Sequence, residues 1–97
     1  MYAIVNHLHL DIPVAQLQGE LERTGAPLLA QQPGFRGFYF VQNESNRATV
    51  ILLWADGASA EAGGQAFGPT WFREHIAPHL ASEQQRSGGE VLVERSG

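Results

Sequence analysis

Apolar and polar residues alternate loosely along residues 2–10, "YAIVNHLHL", which is the pattern of a β-strand. Residues 35–42 and 47–55 are rich in aromatic and branched apolar residues and predict a second and a third strand, joined by the polar turn "NESN". The third stretch is apolar enough to be covered on both faces. After a loop at "EQQRSGG", residues 90–95, "EVLVER", alternate again and predict a fourth strand.

Two stretches between these strands have helical spacing instead. Asp11 can cap a first helix, whose apolar stripe consists of Val14, Leu17, Leu21, Leu28 and Leu29. Gly25 and Pro27 predict a kink or break within residues 24–27, and "QQPG" ends the helix. Residues 57–81 are helical by pattern, but "GG" at 63–64 and "GP" at 68–69 predict interruptions, with Pro69 opening a new helical segment.

The predicted element order is therefore β-α-β-β-α-β across a single domain, residues 1–97. This order is typical of the α+β ferredoxin-like fold, a four-stranded antiparallel sheet with two helices on one face. Two helices cover only one face of the sheet, although the third strand is apolar on both. Because large exposed apolar patches are rare on monomers, we expect a homodimer that forms through the uncovered sheet faces.

Composition narrows the function classes. The net charge is −4 and all six basic residues are dispersed arginines, so the chain has no electrostatic footprint for nucleic acid. It has no cysteine, which excludes thiol catalysis and thiolate metal sites. Without a long apolar run or a signal-peptide pattern, we expect no membrane association and a cytoplasmic location. No catalytic triad, phosphate loop or believable carboxylate pair supports a hydrolase or a kinase.

Four histidines raise the question of a metal site. His7 and His9 lie two apart on the first strand, and His75 and His79 lie four apart in "TWFREHIAPHL". Both spacings can chelate a metal. However, strand parity turns His7 and His9 away from the helices, and Pro78 disturbs the helix between the other pair. We therefore predict no metal site.

Two other residues are better candidates for chemistry. Asn6 is an amide on an otherwise apolar strand face, where it bonds either to the backbone or water or to a ligand oxygen. His75 shares the apolar stripe of the last helix with Phe72 and Ile76, and is either a core histidine or a pocket acid/base. Several aromatic residues either form the core or wall a pocket for an aromatic ligand; they are Trp54, Trp71, Phe38, Phe40 and Phe72.

Taken over nearly its whole length, the chain resembles the dimeric α+β barrel superfamily, in its antibiotic-biosynthesis-monooxygenase-like branch. The resemblance rests on the element order, on "QPGFRGFYF", on a third strand that ends in "LLWAD", and on "WFREH" in the last helix. It implies dimerisation through the sheets and one pocket per subunit between sheet and helices. Some members oxidise electron-rich aromatics with O₂ and use neither metal nor flavin, whereas others degrade haem.

Residue by residue, the resemblance is partial. Asn6 and His75 match an Asn and a His of the haem-degrading members, but a Trp that precedes this His corresponds here to Gln65. Gly63 and Trp71 stand where the aromatic-oxidising members often have histidines. The resemblance implies a cofactor-independent monooxygenase for a small aromatic or quinol-type substrate. On this reading Asn6 polarises the substrate and His75 moves a proton. The alternatives are a non-catalytic ligand-binding or stress-related domain, and a haem-binding homologue.

Overall fold

A computed structural model describes residues 1–96. Its strands and helices follow each other in the predicted order β-α-β-β-α-β. Its four strands are β1 (Tyr2–His9), β2 (Phe35–Glu44), β3 (Arg47–Trp54) and β4 (Gln85–Glu90). They form one antiparallel sheet in the order β2-β3-β1-β4. Two helical segments, α1 (residues 14–30) and α2 (residues 57–75), lie on the same face of the sheet, as the ferredoxin-like prediction requires.

Strand parity divides the sheet as predicted. Side chains on the helix-facing side of β1 and β3 form the core; they include Ile4, Leu8, Val50, Leu52 and Trp54, all under 9% exposed. The opposite face contains His7, which is exposed, and Ile51 and Leu53, which are half-buried. β3 therefore has two apolar faces, only one of which the helices cover.

The first helix remains continuous where a kink or break was predicted. Segment α1 begins as a 3₁₀ turn at Val14–Leu17, widens into a π-helical turn at Leu21–Gly25, and continues as an α-helix at Ala26–Ala30. Pro27 has no N–H to donate to a residue one turn back, and the wide turn directly before it accommodates this loss. The irregularity therefore lies in the predicted place, but of the predicted kink or break the break was wrong, because helical residues continue from Leu21 to Ala30.

The second helix also passes through its glycines. Segment α2 runs as an α-helix over Gly57–Phe67, as a π-helical turn over Gly68–Phe72, and as a last α-turn over Arg73–His75. Asp56 caps its start by accepting a 2.7 Å hydrogen bond from the backbone N–H of Ser59, which lowers the pKa of the Asp56 carboxyl. The predicted interruption at residues 63–64 was wrong, because packing against the sheet outweighs the low helix propensity of glycine.

The fourth strand lies earlier in the chain than predicted. Gln85–Glu90 pairs with β1 from His7 to Tyr2, and one further hydrogen bond joins the Val91 N–H to the Met1 carbonyl. The predicted strand at residues 90–95 was wrong: Leu92 and Val93, two of its three apolar positions, are 91% and 86% exposed. The outer edge of β1 therefore pairs with the polar segment Gln85–Glu90 and not with the alternating residues that follow it.

None of the helices within residues 1–96 is long and apolar enough to cross a membrane.

Candidate active site

A cavity of about 690 Å³ lies between the sheet and α2. This volume is within the range of sites that hold a drug-sized molecule. Apolar and aromatic side chains dominate its lining: Ile4, Leu52, Trp54, Phe38 and Phe40 from the sheet, and Phe67, Phe72 and Ile76 from α2 and the turn after it. The cavity is therefore suited to a flat apolar ligand rather than to a strongly hydrated one.

Asn6 supplies a polar group on the sheet side of this cavity. It lies on β1 between Val50 of β3 and Arg86 of β4, and it is only 9% exposed. Its Oδ1 atom is buried and has no hydrogen-bond partner among residues 1–96. Buried amides are normally paired, and the oxygen and nitrogen of an asparagine can exchange places by a flip of the side chain. Asn6 can therefore either accept from or donate to a ligand.

Trp54 has a second polar atom that is buried without a hydrogen-bond partner among residues 1–96. Its side chain is 1% exposed and lines the cavity, and its Nε1 has no partner among the residues that the structure describes. The ring packs edge-to-face with Phe35, with centroids 5.6 Å apart. Its six-membered ring lies against α2 at Gly63, where a Cβ atom would be only 2.7 Å from Cζ2. The glycine that seemed to interrupt the helix is thus the position that admits this ring.

The charged side chains of the lining lie at the mouth of the cavity, since both are exposed. They are Glu61 of α2 and Arg86 of β4. Arg86 projects towards α2, because a Cβ built on Gly64 would lie 3.8 Å from its Nη2 atom. No carboxylate within residues 1–96 forms an ion pair with it. Sequence reasoning missed Arg86 because it lies in a segment predicted as loop, and only the β1 pairing brings it opposite Asn6.

Trp71 and His75 lie outside this cavity. The Trp71 N–H donates to Thr24 Oγ1 at 2.6 Å. Its ring stacks on Phe67, with centroids 5.4 Å apart, and lies at a tilt of 33° against His75, with centroids 4.6 Å apart. Neither Trp71 nor His75 belongs to the lining within the described part of the chain. The pair joins α1 to α2, with Gly25 of α1 leaving room for the indole ring. The structure therefore brings Asn6, Trp54, Phe38, Phe40 and Phe72 together at one cavity and separates His75 and Trp71 from them.

The histidines do not converge. The His7 ring lies 3.3 Å from Thr49 Oγ1 on the outer sheet face, and His79 lies 3.5 Å from an Asp11 oxygen. The His75 imidazole is 32% exposed and 3.9 Å from Glu74. Over residues 1–96, no three histidine, aspartate or glutamate side chains are placed to share a metal ion.

Comparison with known proteins gives likenesses of structure. Neither a family model nor a curated protein matches the chain. Among solved structures, SnoaB, a cofactor-independent oxygenase from Streptomyces nogalater, is 21% identical with a TM-score of 0.71, covering 96% of this chain and 97% of that one. A monooxygenase from the gene ActVA-Orf6 of Streptomyces coelicolor, in complex with nanaomycin D, is 14% identical with a TM-score of 0.71, covering 96% and 92%.

The haem degrader MhuD from Mycobacterium tuberculosis, with two haems in its active site, is 20% identical with a TM-score of 0.65, covering 99% of this chain and 100% of that one. These likenesses show the fold: the chain has that of the antibiotic-biosynthesis-monooxygenase-like proteins, as its sequence resemblance predicted.

Proposed function

We propose that the cavity binds a small fused-ring aromatic or quinol-type molecule and oxidises it with O₂ without a resident cofactor. The observation that carries this proposal is the amide oxygen of Asn6, buried and without a hydrogen-bond partner among residues 1–96, in a mostly apolar cavity of about 690 Å³. The solved structures that share the fold include a protein described as a cofactor-independent oxygenase, which supports the same reading.

The reaction balances with O₂ as the only co-reactant. A ring CH₂ group activated by a neighbouring carbonyl loses a proton, and the resulting carbanion gives one electron to O₂. Carbon and oxygen radicals then combine to form a peroxide. Taking up a proton, the peroxide loses water and leaves a carbonyl, so that R₂CH₂ + O₂ gives R₂C=O + H₂O. The amide N–H of Asn6 would stabilise the negative charge on the substrate oxygen, and the apolar walls would orient the ring and exclude water.

The residue that accepts the proton cannot be the one predicted from the sequence. The sequence predicted that His75 moves the proton, but His75 lies against Trp71 outside the cavity. Tyr2, Glu61 and Arg86 are the titratable side chains of the cavity lining within residues 1–96. Of these, Glu61 has the carboxylate oxygens that can accept a proton. We therefore assign proton acceptance to Glu61 in this proposal.

Oxygen uptake with anthrone as the probe tests the proposal. We expect the protein to accelerate conversion to anthraquinone, with one atom of ¹⁸O₂ in the new carbonyl and the other in water. Asn6→Ala should lower kcat/KM by roughly fivefold to 150-fold, the equivalent of a lost buried hydrogen bond of about 1–3 kcal/mol. Asn43→Ala is the matched control, because Asn43 lies exposed near the end of β2. A rate no higher than that of anthrone in buffer would contradict the proposal.

There are two alternatives, of which the same assays distinguish one and the cavity lining bears on the other. If anthrone raises the melting temperature without faster oxygen uptake, the chain is a binding domain. Haem binding would need an axial ligand, and no histidine lines the cavity in the part of the chain that the structure describes. The lining therefore does not fit a haem held by a histidine, although MhuD shares the fold.

A further inference from the structure

We infer that Arg86 binds an acidic group of the ligand, so that the cavity prefers aromatic molecules that carry a carboxylate at one end over neutral molecules of the same shape. This inference rests on the proposed ligand-binding role of the cavity and deepens it by naming a chemical class of ligand. The proposed oxidation of the ring gives Arg86 no part, and its role here is to select and orient the ligand.

The polar residues of the cavity lining are concentrated at one edge of the sheet. In the strand order β2-β3-β1-β4, the lining residues of β2 and β3 are all apolar or aromatic; they are Phe38, Phe40, Val50, Leu52 and Trp54. β1 adds two polar residues, Asn6 and Tyr2. β4 and the residue before it add no apolar side chain; their lining residues are Gln84, Arg86, Ser87 and Gly88. A ligand that matches this lining therefore has its apolar rings over β2 and β3 and its polar end at β4.

The guanidinium of Arg86 lies on the cavity side of this edge. Arg86 is paired with Asn6 between β4 and β1, and residues directly opposite each other in an antiparallel pair point to the same face of the sheet. Its Nη2 atom lies close to α2, because a Cβ built on Gly64 would be 3.8 Å from it. The residue is exposed, so its donors are accessible to a group that enters the mouth of the cavity.

Within the described residues, Arg86 has no acidic partner. No carboxylate among residues 1–96 forms an ion pair with it, whereas Arg47, for example, pairs with Glu44. Glu61, the other charged residue of the mouth, lies on α2 three residues before Gly64, which is about 4.5 Å along the helix axis. The guanidinium is therefore free to bind a ligand, and its planar arrangement of donors matches the two oxygens of a carboxylate.

The position of Arg86 at the mouth also favours an ionised ligand group there. Burial of an unpaired charge among apolar side chains is costly, so a carboxylate placed between Phe38, Phe40 and Leu52 would be unfavourable. At the mouth, the carboxylate keeps part of its hydration and gains charge-assisted hydrogen bonds from Arg86. The apolar rings are then buried, and the carboxylate determines which end of the molecule faces outwards.

Two probes that differ in charge but not in shape test the inference. Anthraquinone-2-carboxylate and anthraquinone-2-carboxamide have the same rings and a planar substituent of similar size at the same position. Calorimetric titration of the wild-type protein should show about fivefold to tenfold tighter binding of the carboxylate, the effect of a charge-assisted contact in a partly exposed site. This preference should decrease in about 0.5 M NaCl, because salt screens exposed charges.

Removal of the charge completes the test. In Arg86→Gln the affinities for the two probes should become equal. Arg36→Gln is the matched control and should keep the wild-type preference, because Arg36 is also exposed but lies on β2, at the opposite edge of the sheet, and does not belong to the cavity lining of residues 1–96. Each comparison is made between two ligands of the same protein, so a change in the stability of a variant does not alter its outcome.

The outcomes separate this inference from the proposed function. Equal affinity of the wild-type protein for the two probes, or a preference for the carboxylate that persists in Arg86→Gln, would overturn the role of Arg86 and leave the cavity as a binding site. If neither probe binds the wild-type protein, the inference fails, and the anthrone assay then decides whether the proposed function fails with it.

Discussion

At the scale of single residues, Asn6 and His75 have different surroundings although both were predicted to serve one pocket. Asn6 has its amide oxygen buried and unpartnered at the cavity. The imidazole of His75 lies tilted against Trp71 at a centroid distance of 4.6 Å and is 32% exposed. Strand parity was sufficient to place Asn6 on the helix-facing side. Helical periodicity was not sufficient for His75, because the π-helical turn at Gly68–Phe72 changes the direction in which later side chains point.

Replacement of His75 should therefore affect stability more than binding. We expect His75→Ala to lower the free energy of unfolding by about 1 kcal/mol through loss of the aromatic contact with Trp71, and to leave anthrone affinity unchanged. Urea denaturation and calorimetric titration measure the two effects. His79→Ala, whose parent side chain is 40% exposed, is the control and should be near neutral in both. A His75→Ala variant of normal stability that binds anthrone more weakly would return His75 to the site.

At the scale of elements, local patterns predicted those features that strand pairing and burial reinforce. β1, β2 and β3 lie within two residues of their predicted bounds because each has an apolar face that packs on the helices. β4 was misplaced because it is an edge strand whose residues are all exposed, so hydropathy says nothing of its position. Gly63 and Gly64 of α2 were misread as a break because their roles depend on what lies opposite them in the fold.

These two glycines provide a paired experiment on the cavity wall. At Gly63 a Cβ atom would contact the Trp54 ring at Cζ3 and Cζ2, at 2.5 and 2.7 Å. At Gly64 the nearest atom outside the helix is Arg86 Nη2, at 3.8 Å. We expect Gly63→Ala to lower the free energy of unfolding by about 1–3 kcal/mol through overpacking, despite the higher helix propensity of alanine.

Gly64→Ala should instead raise the free energy of unfolding by about 0.5–1 kcal/mol, because it gains that propensity without a close contact. Chemical denaturation of the two variants and the wild-type protein measures both values. Equal effects of the two substitutions would show that Trp54 does not pack on α2 as described.

At the scale of the whole molecule, the face of the sheet that points away from the helices remains uncovered. Its apolar side chains are Val5, Ile51, Leu53, Tyr39 and Val41, the last two 58% and 41% exposed. The apolar pattern of β3 predicted that this face would need a partner. Leu92 and Val93, beyond the end of β4, add further exposed apolar surface. Contiguous apolar surface of this kind is typical of an association site.

We predict that this face pairs with the same face of a second copy, giving a homodimer in solution. An isologous contact is the commonest way for a small domain to cover such a face, and a chain of 97 residues buries too little surface alone to be more than marginally stable.

Sedimentation at micromolar concentration should give twice the monomer mass. Ile51→Asp places a charge at the centre of the face and should give monomers of lower melting temperature. Ala58→Asp, which adds the same charge on the exposed first turn of α2, should remain dimeric. A stable wild-type monomer, or a dimer that Ile51→Asp leaves intact, would show that the sheet face is not the interface.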